Sequence, residues 1–246
     1  HLANYSISAN TGNWSISRNG GNSSIATNTG NWSVATNNGE YSLSMSTGFS
    51  SIALCDGDHS VVSTTGGRSN AINTGQYSVS AATGYNSKSE NIGHHSVSVV
   101  TSCESNVIAK GFYSIATSTG SASTATTKGI FSSAINTGDF SKSVTDGKSS
   151  ISANTGKLSV AKSVGKRSVA VSTGDESVSL VEGGDSIAVV TGHYGKAAGA
   201  LGCWLVLSEV DVDKIIDVQV VKVDGVNIKP NVYYQLVKGK VVKTNY

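Results

Sequence analysis

The 246-residue sequence is poor in proline, cysteine, charge and long apolar runs, and each scarcity excludes a class of protein. It has a single proline, Pro230, and three widely spaced cysteines, Cys55, Cys103 and Cys203, which form neither a zinc pattern nor a disulfide framework. Lys, Arg, Asp and Glu make up only 14% of the chain, and the net charge of +2 favours no nucleic-acid partner. No apolar stretch approaches the roughly 18 residues that a membrane span needs.

Glycine and serine, in contrast, recur every nine residues. Glycine occupies every ninth position from Gly12 to Gly192, except at Ser102, and serine occupies every ninth position from Ser6 to Ser186, 21 times in succession. The residue before alternate glycines is threonine, in steps of 18 from Thr11 to Thr191. Self-similarity at a fixed period is the signature of a repeat architecture, and here the repeating unit is a pair of nonapeptides.

This period predicts an all-β fold: a parallel β-solenoid of 18 residues per coil, with a small antiparallel C-terminal β domain. Each nonapeptide would give one short strand and one tight turn, in which glycine supplies either a positive φ or close backbone approach. About ten coils stacked at roughly 4.8 Å predict a rod of about 50 Å. The period fails after Gly192, so we assign residues 1–194 to the solenoid and residues 195–246 to a β-meander cap.

The cap is expected to contain four strands, because four apolar segments are bounded by turn residues. Such a cap protects the open strand edges at the end of a solenoid. The predicted strands are residues 203–207, 215–223, 232–237 and 240–243.

Alternation along each strand predicts which side chains point inward. Counting each recurring glycine as position 0, position 3 is always Ser, and position 5 is Ala or Ser except at Val62 and Val107. Positions this uniformly small indicate a thin packed interior, so position 4 should face outward. The alternative is the inverse phase, with the aliphatic residues inside.

Position 4 of alternate half-coils is aliphatic in ten of eleven cases, which predicts an apolar stripe along one wall. Exposed stripes of this kind usually mark an interface, and closed symmetry around the stripe suggests a homotrimer. The predicted trimer interface consists of Ile7, Ile25, Leu43, Val61, Val79, Val97, Ile115, Ile151, Val169 and Ile187.

Two further rows of side chains are candidates for ligand binding. Aromatic residues at position 2, beside amides, suit carbohydrate faces, and the candidates are Tyr5, Trp14 and Trp32; ring-on-ring packing is the competing interpretation. The regular threonines resemble the threonine arrays of ice-binding solenoids, although the turn chemistry of Thr-Gly explains them without ice.

We expect no metal, no cofactor and no catalysis. The segment from Cys55 to His59 holds metal-ligating groups, but no second cluster accompanies it. Calcium-binding nonapeptide rolls need a regular Asp in each glycine-rich turn, and Asp is only sporadic in this sequence. His59 and His95 could ring an ion on a three-fold axis, but packed or solvated histidines are commoner. Twenty-one equivalent serines do not provide one activated nucleophile, and the scattered charges do not suggest a polysaccharide lyase.

The segment GNWSVATNNGEYSLSMSTG, residues 30–48, resembles the head repeats of trimeric autotransporter adhesins, and the likeness extends over roughly residues 1–192. Residues 200–246 resemble a cap that follows such repeats in proteins of gut Bacteroidales and their phages. The resemblance implies a trimeric β-roll in a fibre on a cell surface or virion. We therefore expect an extracellular, non-enzymatic attachment fibre that binds a host or cell-surface receptor or a glycan. A monomeric ice-binding solenoid is the alternative.

Overall fold

The protein is an all-β chain that winds as a parallel β-solenoid, as its period predicts. A computed structural model describes residues 3–212 and 214–245, which divide into two compact units, one before and one after the boundary between Gly120 and Ser121. The regular elements of these described residues are strands β1 to β26, and no helix among them is long and apolar enough to cross a membrane.

In the first unit the strands alternate between two parallel sheets, called A and B. Sheet A contains β1 Ile7–Asn10, β3 Ile25–Asn28, β5 Leu43–Ser46, β7 Val61–Thr64, β9 Val79–Ala82, β11 Val97–Val100 and β13 Ile115–Ser118. Sheet B contains β2 Ile16–Asn19, β4 Val34–Asn37, β6 Ile52–Cys55, β8 Asn70–Asn73, β10 Lys88–Asn91 and β12 Asn106–Ala109. Neighbouring strands pair at an offset of 18 residues, as Ile25 with Leu43 shows.

The second unit repeats this arrangement. Its sheet A contains β15 Ser133–Asn136, β17 Ile151–Asn154, β19 Val169–Ser172, β21 Ile187–Val190, β23 Trp204–Asp211 and β24 Lys214–Lys222. Its sheet B contains β14 Thr124–Thr127, β16 Lys142–Thr145, β18 Val160–Ser163, β20 Val178–Val181, β22 Lys196–Gly199, β25 Tyr233–Val237 and β26 Lys240–Thr244.

The interior of each coil is built from small side chains, in the phase that alternation predicts. Positions 3 and 5 are buried, as at Ser33 and Ala35, whereas position 4 is only half-buried, as at Val34. Position 7 also points inward and is often asparagine. Asn37 donates to the Ser24 carbonyl at 2.7 Å and accepts from the Gly39 N–H at 3.3 Å. These bonds satisfy buried polar groups inside a coil too thin for large apolar residues.

The recurrent serine at position 3 completes the backbone ladder at the start of each strand. The N–H of Ser42 donates to Oγ of Ser60 in the next coil at 3.0 Å, and the Ser60 hydroxyl donates to the Asp58 carbonyl at 3.2 Å. Alanine at this position would leave a buried N–H without an acceptor, which costs about 1–3 kcal/mol. The serine repeat therefore has a structural cause.

The recurrent glycine is required by close approach between coils, not by its φ angle. A Cβ on Gly48 would lie 2.0 Å from the carbonyl oxygen of Gly30, one coil earlier, and Gly30 has the same relation to Gly12. The positive-φ glycines among the described residues are Gly202, Gly225 and Gly239, which all lie outside the repeat. Of the two roles that the sequence allows for glycine, a positive φ or close backbone approach, the structure shows close backbone approach.

Parallel pairing continues beyond the point where the nonapeptide pattern fails. Gly195 replaces the expected serine, yet β22 pairs in parallel with β20 at the same offset, Val178 with Lys196. Strand β23 is also parallel to β21, with Ile187 opposite Trp204. The solenoid pairing thus extends past residue 194, into the segment that the sequence assigns to the cap.

The cap consists of two antiparallel hairpins, and in this it differs from the single meander that the sequence predicts. Strands β23 and β24 extend sheet A, whereas β25 and β26 extend sheet B. Each sheet must be closed separately, because a parallel solenoid presents two open edges at its end. The carboxylate of Glu209 joins the hairpins by accepting from the N–H groups of Lys238 at 2.6 Å and Gly239 at 2.8 Å.

Large apolar side chains fill the space between the two hairpins. Leu205 and Leu207 from β23 lie in a cluster with Val223 and with Tyr234 and Leu236 from β25. The cluster reaches back to Ala188 and Ala197 of the preceding coil, and so anchors the hairpins to the solenoid. It is the part of the second unit that resembles the core of an ordinary globular domain.

The loop between β24 and β25 is closed by Asp224, and this predicts a pH dependence. Backbone N–H groups of Ile228 and Val226 donate to the Asp224 carboxylate at 2.9 and 2.8 Å and hold its pKa at about 2, below its ordinary 3.8. Because the folded pKa is lowered, the stabilisation is complete above pH 3.8 and disappears as the pH falls through about 2.

We expect the amide chemical shifts of Val226 and Ile228 to titrate together in an NMR experiment, with a midpoint near 2. The variant Asp224→Asn keeps an acceptor oxygen and should abolish the titration. A midpoint at 3.8 would show that the loop does not hold the carboxylate.

Candidate functional site

The turns present their side chains outward through an unusual backbone conformation at position 2. Every position-2 residue from Tyr5 to Tyr194 has a positive φ of 51° to 58°, although none is glycine. This region costs a non-glycine residue roughly 1–2 kcal/mol. The compensation is a backbone bond between coils, such as Tyr41 N–H to the Asp58 carbonyl at 2.9 Å. This conformation was not predictable from the residue types, because bulky residues rarely adopt a positive φ.

Stacking of these turns creates an aromatic row in the first unit. Tyr41, His59, Tyr77, His95 and Tyr113 lie on successive coils, with centroids 4.9 to 5.2 Å apart and planes within 7°. Ring faces in the row meet neighbouring rings, so the row presents mainly ring edges, hydroxyls and ring nitrogens to solvent. His59 and His95 thus each pack between two tyrosines of the row. The expectation that they bind no metal stays a prediction.

The predicted glycan-binding residues lie in the first coils, on two different turns. Trp14 and Trp32 stack on each other with centroids 5.3 Å apart and planes 6° from parallel, whereas Tyr5 lies on the opposite turn. Trp32 also packs against Phe49, with the two ring planes 74° apart. The two indole faces that meet are unavailable to a sugar, so a ligand would use the outer face of Trp14, which is 75% exposed. Glycan binding at this site stays a prediction.

The apolar stripe lies on the outer face of sheet A in each unit. In the first unit all the predicted residues occupy the first position of a strand, and Ile7, Val61, Val79 and Ile115 are exposed while Ile25, Leu43 and Val97 are half-buried. In the second unit Ile151 and Ile187 are exposed and Val169 is half-buried. The inverse phase, with these residues in the core, does not occur.

The outer faces of the two sheets differ in charge. The outward positions 4 and 6 of sheet A contain no charged residue in β1 to β21. Those of sheet B contain Arg18, Lys88 and Glu90 in the first unit and Lys142, Lys162 and Lys196 in the second. A charged residue on a solvated face costs little, whereas its absence from a long face requires an explanation.

Glu90 shows how the charges of sheet B are accommodated. It is nearly buried on the outer face, and its two carboxylate oxygens contact the ammonium groups of Lys88 and Lys110, each at 2.5 Å. Burial alone raises the pKa of Glu90, but the two lysines outweigh it and leave the pKa below its ordinary value. The triad is therefore a satisfied ionic network with a structural role.

The threonine row follows the turns that lead into sheet B. Thr29, Thr47 and Thr65 are exposed, but the residues before them, Asn28 and Ser46 for example, point inward and are buried. The row is therefore a single line of hydroxyl and methyl groups, without a second parallel line. Ice binding remains a prediction for this row.

The metal-capable residues around Cys55 point in different directions. Cys55 is buried in the coil interior, and burial raises the pKa of its thiol. Asp56 accepts from the Thr74 hydroxyl at 2.8 Å, Asp58 accepts from the Gln76 N–H at 2.7 Å, and His59 stacks in the aromatic row. Residues 3–212 and 214–245 contain no group of three or more His, Cys, Asp or Glu side chains that could hold a metal ion.

Comparison of the chain with family models, with curated proteins and with solved structures finds no match in any of the three. The fold is therefore established by the winding of the chain itself. The resemblance to adhesin heads rests on the repeat segments and the resemblance to phage proteins on residues 200–246, and neither is more than a basis for a proposal.

Proposed function

We propose that this protein is a non-enzymatic attachment fibre, a rigid homotrimeric β-solenoid shaft or head at a cell surface or on a virion. In this proposal three copies bury the outer faces of sheet A around a common axis, while the outer faces of sheet B and the turns meet a receptor or a glycan. Within each unit, coils are hydrogen-bonded to one another through strands and turns alike, which suits a stiff spacer.

The observation that carries this proposal is the contrast between the two outer faces. Sheet A carries a stripe of exposed and half-buried Ile, Leu and Val without any charge in β1 to β21, whereas sheet B carries lysines, an arginine and a glutamate. Monomeric proteins rarely leave so long an apolar face in water. The trimeric state follows the family that the repeat resembles, in which rolls of this kind associate in threes.

A non-enzymatic role fits the environment of the most abundant nucleophile. From Ser24 onward the serines at position 3 are buried within the coils, and the hydroxyls of Ser42, Ser60 and Ser78, for example, donate to backbone carbonyls. A catalytic serine needs an adjacent base and access to substrate. The proposal therefore gives the serine row a purely structural part.

The trimer predicts a specific effect of charge on sheet A. The wild-type protein should scatter light as about 75 kDa, three chains of 25.1 kDa. The double variant Val79→Glu/Val97→Glu would bring six carboxylates together around the axis and should reduce the mass to that of one chain, because isolated buried charges are strongly disfavoured. Size-exclusion chromatography with multi-angle light scattering measures both masses.

The matched control is Ile52→Glu/Asn70→Glu, which places the same charges at position 4 of adjacent strands on sheet B. This variant should keep the trimeric mass, since that face is proposed to stay in solvent. A wild-type mass of 25.1 kDa, or equal dissociation by both variants, would overturn the assembly.

Ice binding by a monomer remains the alternative function, and one observation favours it: the exposed threonines recur on successive coils. The same scattering experiment separates the two proposals. A 25.1 kDa particle that also shows thermal hysteresis would contradict the fibre proposal and support the ice-binding solenoid.

A further inference from the structure

The second unit carries a groove on the outer face of sheet B, and the proposed attachment function assigns no ligand to it. Four side chains form one straight row across β16, β18, β20 and β22, because Lys142 pairs with Val160, Val160 with Val178, and Val178 with Lys196. Two valines thus lie between two lysines. At roughly 4.8 Å per strand, the lysine positions are about 14 Å apart.

The groove is open and has an apolar floor. A cavity of about 370 Å³ lies over Leu158, Val160 and Val178, with Tyr194, Glu176 and Lys196 on its rim. An adjoining cavity of about 390 Å³ shares Val160 and is bordered by Lys142, Lys162, Leu180 and Tyr233. Val178 is only 6% exposed, whereas the Tyr194 ring is 68% exposed and free to contact a ligand.

The groove is lined by Lys142, Lys162 and Lys196 and by one carboxylate, Glu176, and its positive charge is only partly compensated. Lys162 pairs with Glu182 at 2.7 Å, but Lys142 and Lys196 make no ion pair within the described part of the chain. The second unit as a whole holds 14 of the 18 Lys and Arg residues but only 11 of the 16 Asp and Glu residues. An anionic ligand is therefore favoured both locally and by the field of the unit.

The backbone around the groove excludes one class of anionic ligand. Strands β16, β18 and β20 are interior strands of sheet B, and the N–H groups of Val160 and Val178 are engaged by the Ser141 and Ser159 carbonyls at 2.9 Å. An acidic peptide could not add as a strand, and its own amides would lose water without replacement. A saccharide avoids this cost, because its C–H faces cover the valines while its hydroxyls remain in water.

We propose that this groove binds an anionic oligosaccharide, whose acidic groups contact Lys142 and Lys196 and whose sugar faces lie on Val160, Val178 and the Tyr194 ring. The inference rests on the proposed attachment function and names the ligand class of its solvent-facing side. At the rim, the carboxylate of Glu176 accepts hydrogen bonds from hydroxyl groups of the sugar. Carboxylate and sulfate groups share the required chemistry, and the probes below separate them.

The experiment is calorimetric titration of the 246-residue protein with four probes: hexagalacturonate, a heparin hexasaccharide, neutral cellohexaose and hexaglutamate. We expect one or both anionic sugars to bind. Cellohexaose should bind at least about tenfold more weakly, because it has no acidic group for Lys142 or Lys196. Hexaglutamate should also bind at least about tenfold more weakly, because its amides would lose water without replacement. Binding by hexaglutamate as tight as by the sugars, or no binding by either anionic sugar, overturns the proposal.

Matched lysine variants test the location of the site. The double variant Lys142→Gln/Lys196→Gln should weaken sugar binding at least about tenfold. The double variant Lys148→Gln/Lys166→Gln removes the same charge from exposed turns outside the groove and should leave binding within about twofold. Equal weakening by both pairs would show unspecific attraction to a basic unit and would overturn the site.

Tyr194→Ala should weaken the binding of the same sugar severalfold, and it tests the stacking contact without changing any charge. Light scattering on these samples gives the assembly state separately. A trimer that ignores the sugars contradicts only the groove, whereas a monomer that binds them contradicts the trimeric fibre and leaves the groove in place.

Discussion

Replacement of Gly48 by alanine is expected to lower the free energy of unfolding by about 3 kcal/mol or more, the upper range for overpacking a tight site. The new Cβ would lie 2.0 Å from the carbonyl oxygen of Gly30 and 2.4 Å from its carbonyl carbon. These atoms belong to the backbone, so no side-chain rotation relieves the overlap. The coils must separate locally, and the hydrogen bonds between them lengthen. Urea denaturation followed by circular dichroism, at matched protein concentration, measures the loss.

The control is Gly12→Ala, at the same position of an earlier coil. Its Cβ would meet only Asn10 Oδ1 at 3.8 Å and Ser15 Cβ at 3.9 Å, which are ordinary contacts. We expect a neutral or slightly stabilising effect of up to about 1 kcal/mol, because alanine reduces the entropy of the unfolded chain. Equal destabilisation at Gly12 and Gly48 would mean that glycine is needed for its φ angle, against the close-approach explanation.

Ser102 offers the reverse experiment, because the chain itself places a side chain at a glycine position there. The neighbouring bonds are long: Thr101 N to the Ala82 carbonyl is 3.3 Å and Asn86 N to the Cys103 carbonyl is 3.2 Å, whereas Trp32 N to the Phe49 carbonyl is 2.9 Å. Ser102→Gly should stabilise by about 1 kcal/mol, since relief of roughly 1–3 kcal/mol of overpacking exceeds the roughly 0.5–1 kcal/mol entropic cost of glycine.

Most of the fold was predictable from the sequence, because small and larger residues alternate at fixed positions of the nonapeptide repeat. Position 3 is always serine and position 5 almost always small, so the inward side of a coil could be identified from residues such as Ser33 and Ala35. The outward direction of the aliphatic residues could then be inferred, because successive side chains of a strand point to opposite faces. The four cap strands were also predictable from their β-branched residues and turn signals.

The conformation of the turns could not be predicted, since its cause lies outside the local sequence. Position 2 holds many kinds of residue, and most of them, such as Trp14, Leu158 and Glu176, rarely adopt a positive φ. The conformation is retained because the N–H then bonds the next coil, 17 residues away, as from Tyr41 to Asp58. The groove on sheet B was missed for a similar reason: Lys142 and Lys196 become neighbours of the valines only after three windings.

The cap presents a different kind of interior from the coils, and this makes it sensitive to loss of volume. Interiors of regular coils are filled by Ala, Ser and Asn, whose truncation removes few atoms. Leu205 and Leu207, in contrast, are fully buried leucines between the two hairpins. In a solenoid each coil is stabilised mainly by its neighbours, so the stability of the last coil depends on the two cap hairpins.

Leu205→Ala is therefore expected to lower the free energy of unfolding by about 2–5 kcal/mol, through lost transfer energy and a cavity that rigid hairpins fill only partly. Leu201→Ala, at a leucine that is 61% exposed, should change stability by less than about 0.5 kcal/mol. Because coupling is between neighbours, hydrogen exchange should accelerate first in β21 to β26 and leave β1 to β9 protected. Uniform acceleration along the chain would contradict this, and would mean that the solenoid unfolds as one cooperative block with the cap as its common support.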